Sequence, residues 1–142
     1  MLERLDPRSE SPIESVSRIR LGASTLPAPE PQTEIFDLTG VFLGRLDFYW
    51  EQFGVAGEVD GREKYSANDP GAVWWREKRR QELMEDTSLV FVRWGRADLD
   101  NMPRLLARIE TAFARGARRP VSDRAWIARP TLPRFPLMRG VG

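Results

Sequence analysis

The spacing of apolar and polar positions along this chain changes several times, and each change marks an element. Ser11-Pro12-Ile13-Glu14 has the form of a helix start: serine at the N-cap, proline at the first helical position, glutamate three after the cap. Ile13, Val16, Ile19 and the stem of Arg20 then share one helical face as far as Ala23. Leu26-Pro27-Ala28-Pro29-Glu30-Pro31 breaks that period and predicts a loop. Residues 32–38 read as a strand, with Ile35 and Leu38 among its apolar positions. Thr39-Gly40 predicts a hairpin turn into a second strand over 41–50. Glu51-Gln52-Phe53-Gly54 turns the chain again, and a third strand runs from Val55 to Asp60, ended by Gly61. After a loop over 62–72, with Asn68-Asp69-Pro70-Gly71 as its clearest turn, a charged helix is predicted over 74–85, with Trp75, Arg79 and Leu83 at spacings of four. LVFVRW, residues 89–94, reads as a buried fourth strand. Asp98 or Asp100 then caps a last helix whose apolar positions are Leu105, Leu106, Ile109 and Phe113.

The predicted order is α-β-β-β-α-β-α, an α/β (α+β) class chain. A three-stranded meander is followed by a crossover helix, which tends to place the fourth strand parallel to one already in the sheet. The expectation is a mixed four-stranded sheet with a C-terminal helix. Residues 1–116 form the domain, beginning with a polar leader over 1–10. Residues 117–142 are rich in Arg and Pro, carry no clear period, and read as a flexible or surface-draped tail. There is no internal repeat.

Composition narrows the chemistry. A chain of 142 residues is one domain with room for a core, and 41% hydrophobic with 30% charged residues is globular rather than disordered. No run approaches the ~18 apolar residues of a membrane span, and MLERLDPRSE has no apolar segment of a secretory signal. The expectation is a cytoplasmic protein without a membrane partner. Cysteine and histidine are both absent. Their absence excludes disulfides, thiolate and imidazole metal sites, and Ser-His or Cys-His catalysis. Any metal would be a hard cation held by oxygen, Mg²⁺ or Mn²⁺.

The net charge of +1 hides an asymmetry. Up to Ala114 there are 15 basic and 20 acidic residues; beyond it, seven arginines face the single Asp123. The acidic body offers nucleic acid no overall attraction, whereas the tail does. Among the 22 basic residues only Lys64 and Lys78 are lysine.

One stretch carries the candidate chemistry. GRLDFYWEQFGVAGEVDGREKY, residues 44–65, places Asp47 in one apolar strand and Glu58 and Asp60 in the next, with Lys64 just beyond. Acidic residues in apolar strands are costly to bury without a partner. Two adjacent strands that each carry one suggest a shared divalent cation, because the acids would otherwise repel. A carboxylate pair beside a lysine is what metal-assisted phosphodiester cleavage needs.

The order of elements, with these acids on strands two and three, resembles the restriction-endonuclease-like superfamily, the PD-(D/E)xK nucleases. Within it the chain is similar to very-short-patch-repair-like endonuclease domains, some of which follow an N-terminal winged helix in proteins labelled AbiEi-like type IV antitoxins. The matching residues are Ser11-x-x-Glu14-Ser15, Pro29-x-x-Gln32, Leu46-Asp47-Phe48, Gly57-Glu58-Val59-Asp60-Gly61 with Lys64-Tyr65, Glu77-Lys78-x-Arg80 and Val92-Arg93-Trp94. The resemblance covers residues 9 to about 115. The resemblance implies an αβββαβ core and a Mg²⁺- or Mn²⁺-dependent endonuclease acting on DNA. Asp47 and Glu58 would be metal ligands, with the Val59 carbonyl, Glu14 and Asp60 as further ligands. Lys64 would orient the attacking water or stabilise charge on the phosphate. Arg80, and Arg118 and Arg119 in the tail, would meet DNA phosphates.

Two departures separate the chain from that pattern. The position two after the strand-three acid is usually lysine and here is Asp60, with Lys64 four residues later. No winged-helix segment precedes the first helix, which implies a stand-alone domain or a piece of a longer protein. A second function class therefore stands beside the nuclease: a nuclease-fold module without catalysis, serving DNA binding or regulation in an antitoxin-like protein. The residues also have plainer readings. Glu14 completes a capping box. Asp47 could pair with Arg45, Lys64 or Arg93. Asp60-Gly61 is a common strand-ending turn, and Lys64 could be a solvated loop lysine. Glu77, Lys78, Arg79 and Arg80 form a solvated helix face, Arg93 pairs with an internal acid, and Trp74 and Trp75 pack in the core or at its rim. The tail is either a phosphate-binding arm or a disordered end.

Overall fold

The computed structural model describes residues 11–60 and 70–131, apart from the side chains of residues 70, 72, 73, 76, 83 and 85. Lys64, Tyr65, the leader over 1–10 and the turn at Asn68 lie outside the described residues. In chain order the elements are α1 (Pro12–Gly22), β1 (Glu30–Phe36), β2 (Phe42–Trp50), β3 (Val55–Val59), α2 (Pro70–Glu85), β4 (Val90–Trp94), a short α3 (Arg96–Leu99), α4 (Met102–Ala117), a 3-10 turn (Val121–Asp123) and β5 (Ile127–Pro130). They build one mixed sheet in the order β4-β3-β2-β1-β5. β1, β2 and β3 form an antiparallel meander, and the crossover returns β4 parallel to β3, as the connection length requires.

Helices cover both faces. On one, Ile13 and Leu21 of α1 and Leu105, Ile109 and Phe113 of α4 pack with Phe48, Trp50, Val55, Val92 and Trp94. On the other, Met84 of α2 joins Ile35, Leu46, Tyr49, Ala56 and Trp126. Along β3 and β4 the alternation is regular: Val90, Val92 and Trp94 face α4, and Phe91 faces α2. β2 is less regular. Leu46 and Tyr49, three apart, pack on the same side, and across from this slip Gln32 of β1 has φ 49°.

Four expectations need correction. The sheet has five strands, not four, because the segment read as a tail returns to it. β5 pairs antiparallel with β1, joining Ile127 to Phe36 and Arg129 to Glu34. Trp126 just before it is buried, and its Nε1 donates to Tyr49 Oη at 2.9 Å. The strand is four residues long, too short for a period to announce it.

The buried face of α1 carries Ile13, Glu14, Ser17 and Leu21, while Ile19 points outward. Ser17 occupies the centre of that face because it accepts the Trp94 indole N–H at 2.8 Å; apolar spacing alone cannot see a polar contact of this kind. On α2, Arg80 turns toward the sheet with Met84 instead of lying on the solvated face. Trp74 and Trp75 are 52% and 65% exposed, so they are not core residues. They stack edge-on at 5.0 Å, with the Lys78 ammonium over Trp74.

Finally, the long C-terminal helix is capped by Asn101, whose side chain accepts from Arg104 N. Asp98 instead belongs to α3, where it accepts from Gly95 N at 2.8 Å. The expected hairpin turn between β1 and β2 is present. Asp37 organises it by accepting from Thr39 Oγ1, Thr39 N and Val41 N, and these bonds, the hydroxyl first, hold its carboxyl below the usual range. No helix among the described residues is long and apolar enough to cross a membrane.

Candidate functional site

The β2–β3 register pairs Phe48 with Gly57, Tyr49 with Ala56 and Trp50 with Val55. The ladder ends at Phe48 and Gly57, with Asp47 the residue just before it on β2 and Glu58 the residue just after it on β3. The parallel β3–β4 register then pairs Glu58 with Arg93. Glu58 and Arg93 thus share a row on the side of the sheet that α2 covers, and Asp47 is near enough to act on Arg80 of that helix.

α2 lowers a cation onto that row. Arg80 Nη2 lies 3.6 Å from Glu58 Oε1 and 3.3 Å from Glu77 Oε1 on its own helix. Arg93 Nε approaches the same Glu58 oxygen at 3.9 Å, and its guanidinium also lies over the Phe91 ring. The helix reaches the sheet this closely because Gly44 of β2 has no side chain. A Cβ there would collide with the Met84 methyl and come within 2.8 Å of Arg80 Nη1. Burial works against the charged form of Arg80. The carboxylates of Glu58 and Glu77, with Asp47 further off, outweigh it and hold its pKa above the usual range.

Asp47 is held by the backbone. Its Oδ2 accepts from Val59 N at 3.0 Å, a bond across the β2–β3 pair at the point where ladder pairing ends. Oδ1 takes no hydrogen bond from a described residue. Asp47 and Glu58 are therefore brought together, and the cation beside them in the structure is a guanidinium. Arg93, one of the partners weighed for Asp47, pairs with Glu58 instead.

The other candidate residues are more scattered. Glu14 lies on α1, the layer packed with Phe48 and Trp94 on the opposite face of the sheet from α2. It is 6% exposed, and its Oε1 accepts from Ser11 N at 3.0 Å while its N donates to Ser11 Oγ, so the capping box is present. Asp60 is exposed at the end of β3, where its N donates to Trp94 O at 2.8 Å. Lys64 lies outside the described residues. Arg118 and Arg119 are exposed at the end of α4, in a different part of the molecule. Among the described residues, no group of three or more acidic side chains is close enough to hold a metal ion.

Two carboxylates still fit Mg²⁺. This ion keeps several waters and is commonly held by one or two carboxylates together with substrate phosphate. The donor set of Asp47 and Glu58 is hard oxygen throughout, as such an ion requires. The inward placement of Arg80 was not legible in the sequence, where residues 77–80 look like one charged face. The available signal was Gly44, a glycine inside an apolar strand, which marks a place where another element comes close.

Comparison with family models, with curated proteins and with solved structures returns no match for this chain.

Proposed function

We propose that this chain is a restriction-endonuclease-like domain that hydrolyses DNA phosphodiester bonds with Mg²⁺ or Mn²⁺ at Asp47 and Glu58. The observation that carries this reading is that Asp47 and Glu58, on neighbouring antiparallel strands, both act on Arg80 of the crossover helix, with Arg93 also beside Glu58. The αβββαβ order of elements supports it; on this reading β5 is an addition to the core at the β1 edge. Asp47 and Glu58 would hold the cation, with the Val59 carbonyl as a third donor and Asp60 within the same strand end. Bound there, the cation would supply Lewis-acid activation of a water and neutralise charge on the phosphate.

The chain's own residues have definable tasks. The Val59 N–H fixes the orientation of the Asp47 carboxylate. Arg80 and Arg93 counter the charge of Glu58 while no substrate is bound. Their planar donors match a phosphate as well as a carboxylate, so an entering phosphodiester would replace one anionic partner with another. Lys64 is assigned the orientation of the attacking water. Trp74 and Trp75, exposed on α2 with Lys78 beside them, offer ring faces of the kind on which unpaired bases stack.

A second reading, a nuclease-fold module that binds DNA without cutting it, is favoured by one specific observation. Glu58 already has two cationic partners and Glu14 is engaged in its helix cap, so the described acids have no need of a metal. Plasmid nicking separates the two. The wild-type protein is expected to nick supercoiled plasmid with Mn²⁺ and not with chelator. Asp47→Ala should reduce nicking by about 100-fold or more, the scale on which disturbing a metal's surroundings acts. Wild-type protein that binds plasmid but never nicks it would select the second reading.

A further inference from the structure

The end of α4, the 3-10 turn and the starts of β4 and β5 enclose a cleft of about 580 Å³. We propose that this cleft is an anion site that takes a phosphate group, separate from Asp47 and Glu58. Its chemistry lies in Arg115, Arg118, Arg119 and Arg124, with Ser88 and Trp126 also on the wall. Asp123 is the only acidic residue in the lining.

The four arginines are not equivalent. Arg124 is part of the frame: its side chain is mostly buried, its Nη1 meets Glu51 Oε2 at 3.1 Å, and its guanidinium lies 5.1 Å from the Trp126 ring centre. Arg115, Arg118 and Arg119 have neither an ion pair nor a side-chain hydrogen bond among the described residues. Three cations within five residues, beside a fourth from another element, repel one another until an anion enters. A helix C-terminus favours nearby cations, which accounts for Arg115 and Arg118. It does not account for Arg124, which a different element brings to the same cleft.

The walls are built rather than draped. Gly116 presses the last turn of α4 against the β2–β3 turn so closely that a Cβ would collide with the Phe53 carbonyl oxygen. Within the lining, Val90 N donates to Gly54 O at 3.2 Å. Ser88, on the rim, is held at φ 75°, a conformation a serine adopts at a cost. Guanidiniums bind phosphate through paired N–H donors. A volume of this size admits a nucleotide or a short length of strand backbone. The cleft touches Gly54, where β3 begins, whereas Glu58 is three residues beyond Val55, about 10 Å along an extended strand. A ligand here would not occupy the acid pair.

The test uses the full chain in chelator, so its outcome does not depend on the metal reading. Inorganic pyrophosphate is titrated by calorimetry, and a labelled oligodeoxythymidylate by fluorescence anisotropy over a range of salt. The double variant Arg118→Gln/Arg119→Gln should weaken at least one probe by about tenfold or more, with an unchanged melting temperature. For the oligonucleotide its salt slope should fall by about 1.4, the single-strand value for two contacts. Arg115→Gln should act in the same direction. The charge-matched control Arg79→Gln/Arg104→Gln should stay near wild type. Loss of pyrophosphate binding identifies a free phosphate ligand; loss confined to the oligonucleotide identifies a strand. The proposal is overturned if the wild type binds neither probe, if the double variant binds both as wild type does, or if the control loses as much.

Discussion

Deleting residues 117–142 should destabilise the protein by about 4 kcal/mol or more. Removal of a buried tryptophan alone costs about 3–5 kcal/mol, and this deletion takes Trp126 out of the cluster with Ile35, Leu46 and Tyr49. It also strips β1 of its outer neighbour, which exposes a row of unpaired backbone groups along that edge. Tyr49 loses the indole that meets its hydroxyl, a hydroxyl whose pKa burial pushes above its ordinary value. Read as a sequence alone, the segment is a flexible or surface-draped tail; the fifth strand reverses that expectation. Urea unfolding of the full chain, the chain ending at Gly116 and the Trp126→Ala variant measures the effect. Trp126→Ala alone should reproduce most of the loss. A truncated chain with the wild-type midpoint would show that β5 does not hold the sheet.

The second large effect is expected at Arg80. Replacing it with methionine keeps much of its stem against Gly44 and removes its charge. Glu58, 12% exposed, would then lose the nearer of its two guanidinium contacts and keep the more distant one to Arg93. Losing one partner of a buried ion pair costs about 3–5 kcal/mol. Arg80 is 26% exposed and its contact is 3.6 Å, so screening lowers the expected cost to about 2–3 kcal/mol. The urea midpoint should fall with little change in slope. An unchanged midpoint would mean that Arg80 does not stabilise the acid pair.

Much of this architecture was legible because its signals are local. The Ser11–Glu14 capping box, the turns at Thr39-Gly40 and Phe53-Gly54, and the run LVFVRW each mark an element by residue type and spacing, and a crossover helix leaves few choices for the strand after it. Pairing of the strands that carry Asp47 and Glu58 follows from the short turn between them. What stayed hidden depends on contacts between distant residues. Ser17 is buried for the sake of Trp94, Arg80 turns inward because Gly44 leaves room, and Trp126 anchors β5 through Tyr49. None of these produces a period. Two acids on neighbouring strands do not by themselves require a metal, because helix α2 supplies a cation from 22 residues beyond Glu58.

The central claim is that Asp47 and Glu58 form a seat for a divalent cation, and metal-dependent melting tests it most directly. Asp47→Asn keeps the side chain's shape, and the amide oxygen can still accept from Val59 N, but one ligand charge is gone. A cation bound at 100 times its Kd stabilises the folded state by about 2.7 kcal/mol, on the order of 5–10 °C for a chain of this size. Wild-type protein should show that rise with Mn²⁺, and Asp47→Asn should melt near the metal-free wild type and ignore the ion. If instead Asp47→Asn is strongly destabilised and neither protein responds to Mn²⁺, the acid pair is a structural ion-pair site and the metal reading is contradicted.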